Sequence, residues 1–327
     1  MSFDVFTMCN PLFDIQAETP DSLLLSLGFP KGSMSLIELD KQRELVGSIT
    51  EYIVNTEPGG SGANTAIGIA QLGGTASFTG RVGRDDHGRL YGEGLVQKGV
   101  RVAIAAAEGV TGICVVMVTP DAERTMGTFL GVSQELGPED IDVELIKQAK
   151  YVYITGYLWD TDRQKEAVLH TMEQAKVAGI PVALSLSDPF CVGRHRNDFL
   201  AISEKYVDLL IGNSDEMRAL TDTQDDELAL KQTKALSNSA VLTRDSRGAL
   251  LRSGNETIEV PAYRITPVDS TGAGDMYAAG LLYGLTQGMP LQRTARIAAC
   301  AAAQVVAQLG PRIEALDMAA IEAFCAM

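Results

Sequence analysis

Seven residues, Asp269-Ser270-Thr271-Gly272-Ala273-Gly274-Asp275, set two carboxylates around a small-residue turn just before an Ala- and Leu-rich stretch beginning near Met276. Glycines on either side of an alanine let the backbone fold tightly and aim successive N–H groups at one point. The helix expected next leaves its first N–H groups unpaired, and its dipole adds partial positive charge there. That combination is an anion site, and phosphate is the usual anion. Asp275 stands in the first helical turn beside it. A carboxylate so placed can take a proton from a hydroxyl while backbone N–H groups steady a transferring phosphoryl. The plainer alternative is a strand–turn–helix junction in which Asp275 only decorates the helix start, since short Gly-rich motifs do match by chance.

Composition narrows the chemistry. A chain of 327 residues with 46% hydrophobic and 21% charged content is globular and can bury an ample core in one large α/β domain or two ordinary ones. Its net charge of −15 argues against nucleic acid as a partner. It also requires that any bound polyphosphate be neutralised locally. Cys9, Cys114, Cys191, Cys300 and Cys325 are scattered and lack C-x-x-C spacing, so reduced thiols are expected and a zinc site is not. Met1-Ser2-Phe3-Asp4 lacks the features of a signal peptide, and no uncharged apolar run reaches membrane-spanning length. A cytoplasmic protein without a membrane partner is expected. There is no G-x-x-x-x-G-K-[ST] and no G-x-G-x-x-G. His87, His170 and His195 are far apart, which suits surface or structural roles rather than a metal centre.

The elements that position these residues follow from periodicity. Tyr151–Thr155, Val182–Leu186, Val207–Ile211 and Ala240–Leu242 are compact apolar runs of strand length, and Tyr263–Pro267 reads as a strand end. Arg163–Ala178 has helix spacing and is stopped by Gly179-Ile180-Pro181. Met276–Gln287, Gln292–Gln308 and Met318–Ala326 are helix candidates. Repeated β–α–β units with apolar strands predict a mostly parallel sheet covered on both faces. Two segments break the rhythm. Ser35–Glu38 and Glu51–Val54 read as strands around a helical piece. Gly112–Thr119 and Glu123–Phe129 read as a hairpin turning near Thr119-Pro120-Asp121-Ala122. Residues 14–55 and 110–132 are therefore expected to form a small β-sheet lid on a core of 1–13, 56–109 and 133–327. A lid excludes water during group transfer.

With these motifs in view, the chain resembles the ribokinase-like (PfkB) carbohydrate kinase family. Asp269–Asp275 is similar to the family's C-terminal signature, and Gly59-Gly60-Ser61-Gly62-Ala63-Asn64 to its N-terminal one. Gly73-Gly74 and Gly80-Arg81-Val82-Gly83 follow in family order, so the similarity runs nearly the whole length. It implies a three-layer α/β/α core with a small β-sheet lid. It also implies ATP as phosphoryl donor, Mg2+, Asp275 as catalytic base, and Gly272, Ala273 and Gly274 as the anion hole. A monovalent cation such as K+ near Asp269 and Thr271 is common in ribokinases and is not assigned here. Asn213-Ser214-Asp215-Glu216 resembles the N-x-x-E element that organises magnesium and phosphate. Magnesium keeps several waters, so Asn213 and Glu216 are expected to act partly through water; a helix N-cap explains the same residues.

Within the family the adenosine kinases match best. Asn10-Pro11-Leu12-Phe13-Asp14 resembles their first motif, with Asn10 and Asp14 bracketing the ribose and Gly59, Gly60, Ser61 and Asn64 closing the sugar site. A carboxylate suits a vicinal diol because its oxygens only accept. Leu184–Phe190 resembles the run that offers a phenylalanine, Phe190, to the purine. Leu12 and Leu130, with the aromatic Tyr157, would complete an apolar slot, although core packing explains each of them as well. Arg124 matches a lid arginine that contacts transferring phosphate, with an exposed hairpin arginine as the alternative. Thr243, Arg244 and Gly248 are expected beside the ATP base and ribose, with Thr271 and the Ala298–Ala303 run nearby. The implied activity is phosphorylation of adenosine at its 5′-hydroxyl. The alternatives are a kinase of ribose, fructose, inosine or guanosine, or a non-catalytic nucleoside-binding homologue. A monomer or a homodimer is expected.

Overall fold

In the computed structural model, residues 2–121 and 123–327 are described. Ala122, placed above near the hairpin turn, lies outside them.

The strands in chain order are β1 (Phe3–Met8), β2 (Leu12–Glu18), β3 (Met34–Leu36), β4 (Ile53–Gly59), β5 (Ala76–Gly83), β6 (Arg101–Ala107) and β7 (Gly112–Val118). They continue with β8 (Arg124–Phe129), β9 (Ala149–Thr155), β10 (Val182–Ser185), β11 (Leu209–Asn213), β12 (Ser239–Thr243), β13 (Ala249–Ser253) and β14 (Glu256–Val260). The first helices are α1 (Asp21–Leu27), α2 (Leu39–Ile49), α3 (Ser61–Gln71), α4 (Asp86–Gln97), α5 (Val143–Ile146) and α6 (Asp162–Ala178). After them come α7 (Pro189–Arg194), α8 (Arg196–Tyr206), α9 (Ser214–Thr221), α10 (Asp226–Gln232), α11 (Ala273–Thr286), α12 (Leu291–Val306) and α13 (Met318–Cys325).

Nine strands form the main sheet in the order β14-β13-β12-β11-β10-β9-β1-β5-β6. Every pairing from β12 to β6 is parallel, and the pairings β12–β13 and β13–β14 are antiparallel, so β13 alone runs against the rest. Strand residues alternate between two cores. Val182 and Leu184 face one, with α6, α8 and α9, while Ala183 faces the other, with α3, α11 and α12. Burial on both faces explains why these strands read as continuous apolar runs. The result is the expected three-layer α/β/α core.

The second sheet has the order β3-β8-β7-β2-β4. Its central strands bury one face, through Phe13, Ile15, Ile113 and Val115, on a core shared with α1 and α2. Its other strands leave Met34, Leu36 and Val54 exposed. The β7–β8 hairpin is antiparallel, as its alternation implies. β4 runs to Gly59, well past the expected Glu51–Val54; Pro58 is tolerated because β4 is an edge strand. Tyr263–Pro267 is not a strand. After β14 the chain from Pro261 to Ser270 makes no ladder. Among the described residues, no helix is long and apolar enough to cross a membrane.

Candidate active site

Two close helix contacts place the first carboxylate. A Cβ on Gly68 would lie 2.7 Å from the Cβ of Ala279, and one on Gly280 would lie 2.6 Å from the Cα of Ala298. Glycine at both positions lets α3 and α12 press against α11. The alanine run of α12 is thus buried in helix packing. Across the first contact, Asn64 Nδ2 donates to Asp275 Oδ2 at 2.8 Å, and Thr65 Oγ1 donates to the Asp275 carbonyl at 3.2 Å. Burial pushes the Asp275 carboxyl up to about 6, against the opposing pull of hydrogen bonds from Asn64 and Ser61 and of the Arg312 charge. A carboxylate titrating there is basic enough to accept a proton near neutral pH.

The cradle before it is built as its glycines suggest. Gly272 is the N-cap of α11 at φ 77°, and a Cβ there would lie 2.2 Å from the Pro311 carbonyl oxygen. Gly274 is exposed with open space where a Cβ would go, while the Ala273 N–H donates to the Ser270 carbonyl at 3.2 Å. Asp269 braces the loop: its Oδ1 accepts from Thr271 N at 3.0 Å and Thr271 Oγ1 at 2.8 Å, and its Oδ2 from Gly310 N at 2.8 Å.

Asp14 occupies the second sheet beside this helix start. It faces Glu57 across β2–β4, and the Gly59 backbone passes beneath its carboxylate, where a Cβ would lie 2.1 Å from Oδ2. Gly60, at φ 87°, turns the chain against the Asn10 carbonyl and into α3. Desolvation raises the Asp14 carboxyl to about 7, although the Arg312 charge pulls it down. Leu12 and Leu130 meet over Gly112, whose Cβ would touch the Leu12 side chain at 2.8 Å and the Leu130 carbonyl at 2.7 Å. Ser61, the first residue of α3, lies within hydrogen-bonding reach of Asp275.

Other expected residues are differently engaged. Asn10 Oδ1 accepts from Gln164 Nε2 at 2.6 Å and Asn10 Nδ2 donates to the Tyr157 carbonyl at 3.4 Å. Its amide therefore anchors the β1–β2 junction to α6. Tyr157 donates to the Ser187 carbonyl at 3.0 Å. Phe190 opens α7 with 77% of its surface exposed, so it walls no closed slot in this structure. Arg124 is not the exposed hairpin arginine of the alternative reading. Its side chain is 10% exposed and pairs with Asp269 at 2.8 Å. Arg244 pairs with Glu259 and donates to the Arg247 carbonyl at 3.2 Å. Gly248 is required by its turn, since a Cβ would lie 2.1 Å from the Val260 carbonyl. Thr243 ends β12 beside Ser214 Oγ.

Asn213 and Glu216 form a reciprocal helix cap. Glu216 N donates to Asn213 Oδ1 at 2.9 Å, while Glu216 accepts from Asn213 N at 3.0 Å and Asn213 Nδ2 at 2.8 Å. Burial raises Glu216 to about 7. Among the described residues, no group of three or more His, Cys, Asp or Glu converges as a metal cage. His87 packs on Phe13, and His195 meets Asp160 at 3.2 Å.

Two groups escaped the sequence reading. Arg312 lies 3.0 Å from Glu57 with its side chain 7% exposed, and it acts on both Asp14 and Asp275. The only local sign of it is Gly310-Pro311-Arg312, a turn followed by a cation in an acidic chain.

Residues 33–317 match the pattern described as pfkB family carbohydrate kinase. The structure is similar to that of a probable sugar kinase protein from Rhizobium etli CFN 42, with TM-score 0.91, 37% identity, and coverage of 99% of this chain and 100% of that one. It is similar to adenosine kinase from Sinorhizobium meliloti at TM-score 0.89 and 36% identity, with the same coverage. A 5-dehydro-2-deoxygluconokinase of Geobacillus thermodenitrificans is 27% identical over 283 residues, 82% of each sequence.

Proposed function

The chain belongs to the pfkB family of carbohydrate kinases, and we propose that it transfers the γ-phosphoryl of ATP to the 5′-hydroxyl of a purine nucleoside, adenosine foremost, giving AMP and ADP. The observation that carries this reading is the half-buried Asp275 carboxylate, held by Asn64 at the start of α11. The relationship to the Sinorhizobium meliloti adenosine kinase, at 36% identity over 99% of the chain, supports the nucleoside.

Asp14 accepts hydrogen bonds from the vicinal ribose hydroxyls, and Gly59 and Gly60 keep the floor low enough for the sugar to reach it. Asp275 takes the 5′-hydroxyl proton. The N–H groups of Gly272, Ala273 and Gly274 receive the phosphate oxygens as negative charge shifts toward the leaving diphosphate. The small sheet, drawn from 14–55 and 110–132, serves as the lid and carries Arg124 onto the phosphates. Asn213 and Glu216 fit magnesium, since a buried carboxylate with no cation beside it sits where few protein ligands converge. When bound, the ion neutralises polyphosphate charge in a protein of net −15.

A second reading, a kinase of a bare sugar or sugar acid, is favoured by the exposure of Phe190. A panel of adenosine, inosine, guanosine, ribose, fructose and 5-dehydro-2-deoxygluconate, each with ATP and Mg2+, separates the two. Adenosine should exceed ribose in kcat/KM by at least tenfold; comparable values would replace the nucleoside reading with the second.

A further inference from the structure

The small sheet and the core exchange charges twice. Arg124 of β8 reaches Asp269 of the core loop, and Glu57 of β4 meets Arg312 of the segment after α12. Neither pair saturates its arginine. Nε and Nη1 of Arg124, and Nε, Nη1 and Nη2 of Arg312, are buried without a hydrogen-bond partner. The Arg312–Glu57 contact of 3.0 Å is therefore an ion pair in distance but not in direction. Buried guanidinium donors left unpaired are expensive, and among the described residues Arg312, with three, and Arg124, with two, carry more of them than any other arginine.

Arg312 is also held in place. The backbone of its neighbour Pro311 packs on Gly272, the cap of the phosphate cradle. Gly310 N donates to Asp269 at 2.8 Å, and the Ile313 carbonyl accepts from Gln71 Nε2 at 2.6 Å. The guanidinium thus stands beside the cradle on a pinned backbone, in a space bounded by Asp14, Asp275 and Glu57. Its planar fork suits an oxyanion carrying several oxygens.

We propose that Arg312 is a second catalytic arginine, which with Arg124 grips the oxygens of the phosphoryl group during transfer. The inference rests on the kinase reading above. In the step, a bond forms between the acceptor hydroxyl oxygen and the γ-phosphorus while the bond from that phosphorus to the β–γ bridging oxygen breaks. The hydroxyl proton goes to Asp275, and the electron pair of the broken bond stays on the departing ADP. The three equatorial oxygens carry charge throughout, and the free donors of Arg312 and Arg124 approach them from the core and from the small sheet.

The test is calorimetric binding of orthovanadate in the presence of ADP and Mg2+, measured on the full chain for wild type, R312Q, R312K, R124Q and E57Q, beside kcat for the acceptor found by the panel. R312Q should weaken vanadate binding at least tenfold and lower kcat about 100-fold, while KM for the acceptor changes less than threefold. R312K should recover only part of both losses. E57Q, which removes a competing carboxylate and keeps the guanidinium, should bind vanadate at least as tightly as wild type. A latch without catalytic contact predicts the opposite, with E57Q reproducing the loss in R312Q, and that result overturns the proposal. So does wild-type vanadate affinity in R312Q. Should R312Q fail to fold, R312K decides: full vanadate affinity in it refutes a forked contact. A wild type that phosphorylates only sugars, yet loses vanadate on R312Q, refutes the nucleoside reading and leaves this one standing.

Discussion

At the end of the site proposed for the acceptor, Asp14 and Asn64 are buried and Asn64 holds the half-buried Asp275, whereas at the end proposed for the nucleotide Gly274, Ser270 and Pro267 face solvent and Arg244 is paired with Glu259. The first end holds carboxylates whose ordinary values are raised by lost hydration to about 7 and about 6. The second relies on backbone N–H groups, which need neither burial nor a charge of their own. Chemistry that must move a proton at neutral pH benefits from a desolvated carboxylate. A site that must exchange ADP for ATP on every cycle benefits from an open cradle. On the proposed reading the two ends differ because their tasks differ.

The severest way to break this contrast is Asp275→Asn. The amide keeps the size and the contact with Asn64 but loses the base. Turnover should fall by on the order of 10² to 10⁴, while acceptor binding by calorimetry stays within a few-fold. Near wild-type turnover would remove Asp275 as the base. Joint loss of binding and of Tm would make it a structural helix-start residue.

Gly59→Ala tests the floor of the acceptor end. A Cβ 2.1 Å from the Asp14 carboxylate must push it aside. Losing one charge-assisted hydrogen bond of about 1.5–3 kcal/mol should raise the acceptor KM roughly 10- to 150-fold. KM for ATP should barely move, because the cradle is separate. A matched rise in both would mean that the two ends are coupled more tightly than the contacts indicate.

The raised carboxyls also set a pH dependence. Acceptor kcat/KM requires Asp14 and Asp275 both ionised, so it should fall with a slope approaching two protons as pH drops through about 7 and about 6. On the order of tenfold should be lost between pH 8 and 6. Stability runs the other way. Asp14 titrates above its ordinary 3.8 in the fold, so its favourable contribution is complete below about 4 and is lost as pH rises through about 7. Asp14→Asn should therefore raise Tm at pH 8, with the gain fading toward pH 4, even as it disables the acceptor site. A Tm gain independent of pH would trace to something other than desolvation.

What the sequence revealed divides along the same line. The cradle and the Gly59–Gly60 turn were legible because their residues are contiguous in the chain and Gly60 and Gly272 take a positive φ, although the groups that crowd Gly59 and Gly272 are the distant Asp14 and Pro311. The parallel strands were legible because burial on both faces writes an unbroken apolar run. Pairings made across the fold were not. Nothing near Asn10 announces Gln164, nothing near Arg244 announces Glu259, and nothing near Arg312 announces Glu57 and Asp14. Tyr263–Pro267 has strand composition but pairs with no strand, not even with the open edge of β14 just before it. Composition alone cannot supply that neighbour.

The smallest expected effect belongs to Phe190→Ala, which asks whether the acceptor end closes over a base. The side chain is 77% exposed in α7, so its removal should leave Tm within the scatter of ordinary surface substitutions. If a purine stacks on it, binding covers the ring and gains roughly 0.5–1.5 kcal/mol beyond simple burial. Adenosine KM should then rise about two- to tenfold, while KM for ribose, which has no base to stack, stays constant. An unchanged adenosine KM would show that the base lies elsewhere, with Leu12 and Leu130 as its remaining apolar contacts. Equal rises for adenosine and ribose would place Phe190 over the sugar, and the exposed residue would join the buried end of the site rather than extend it.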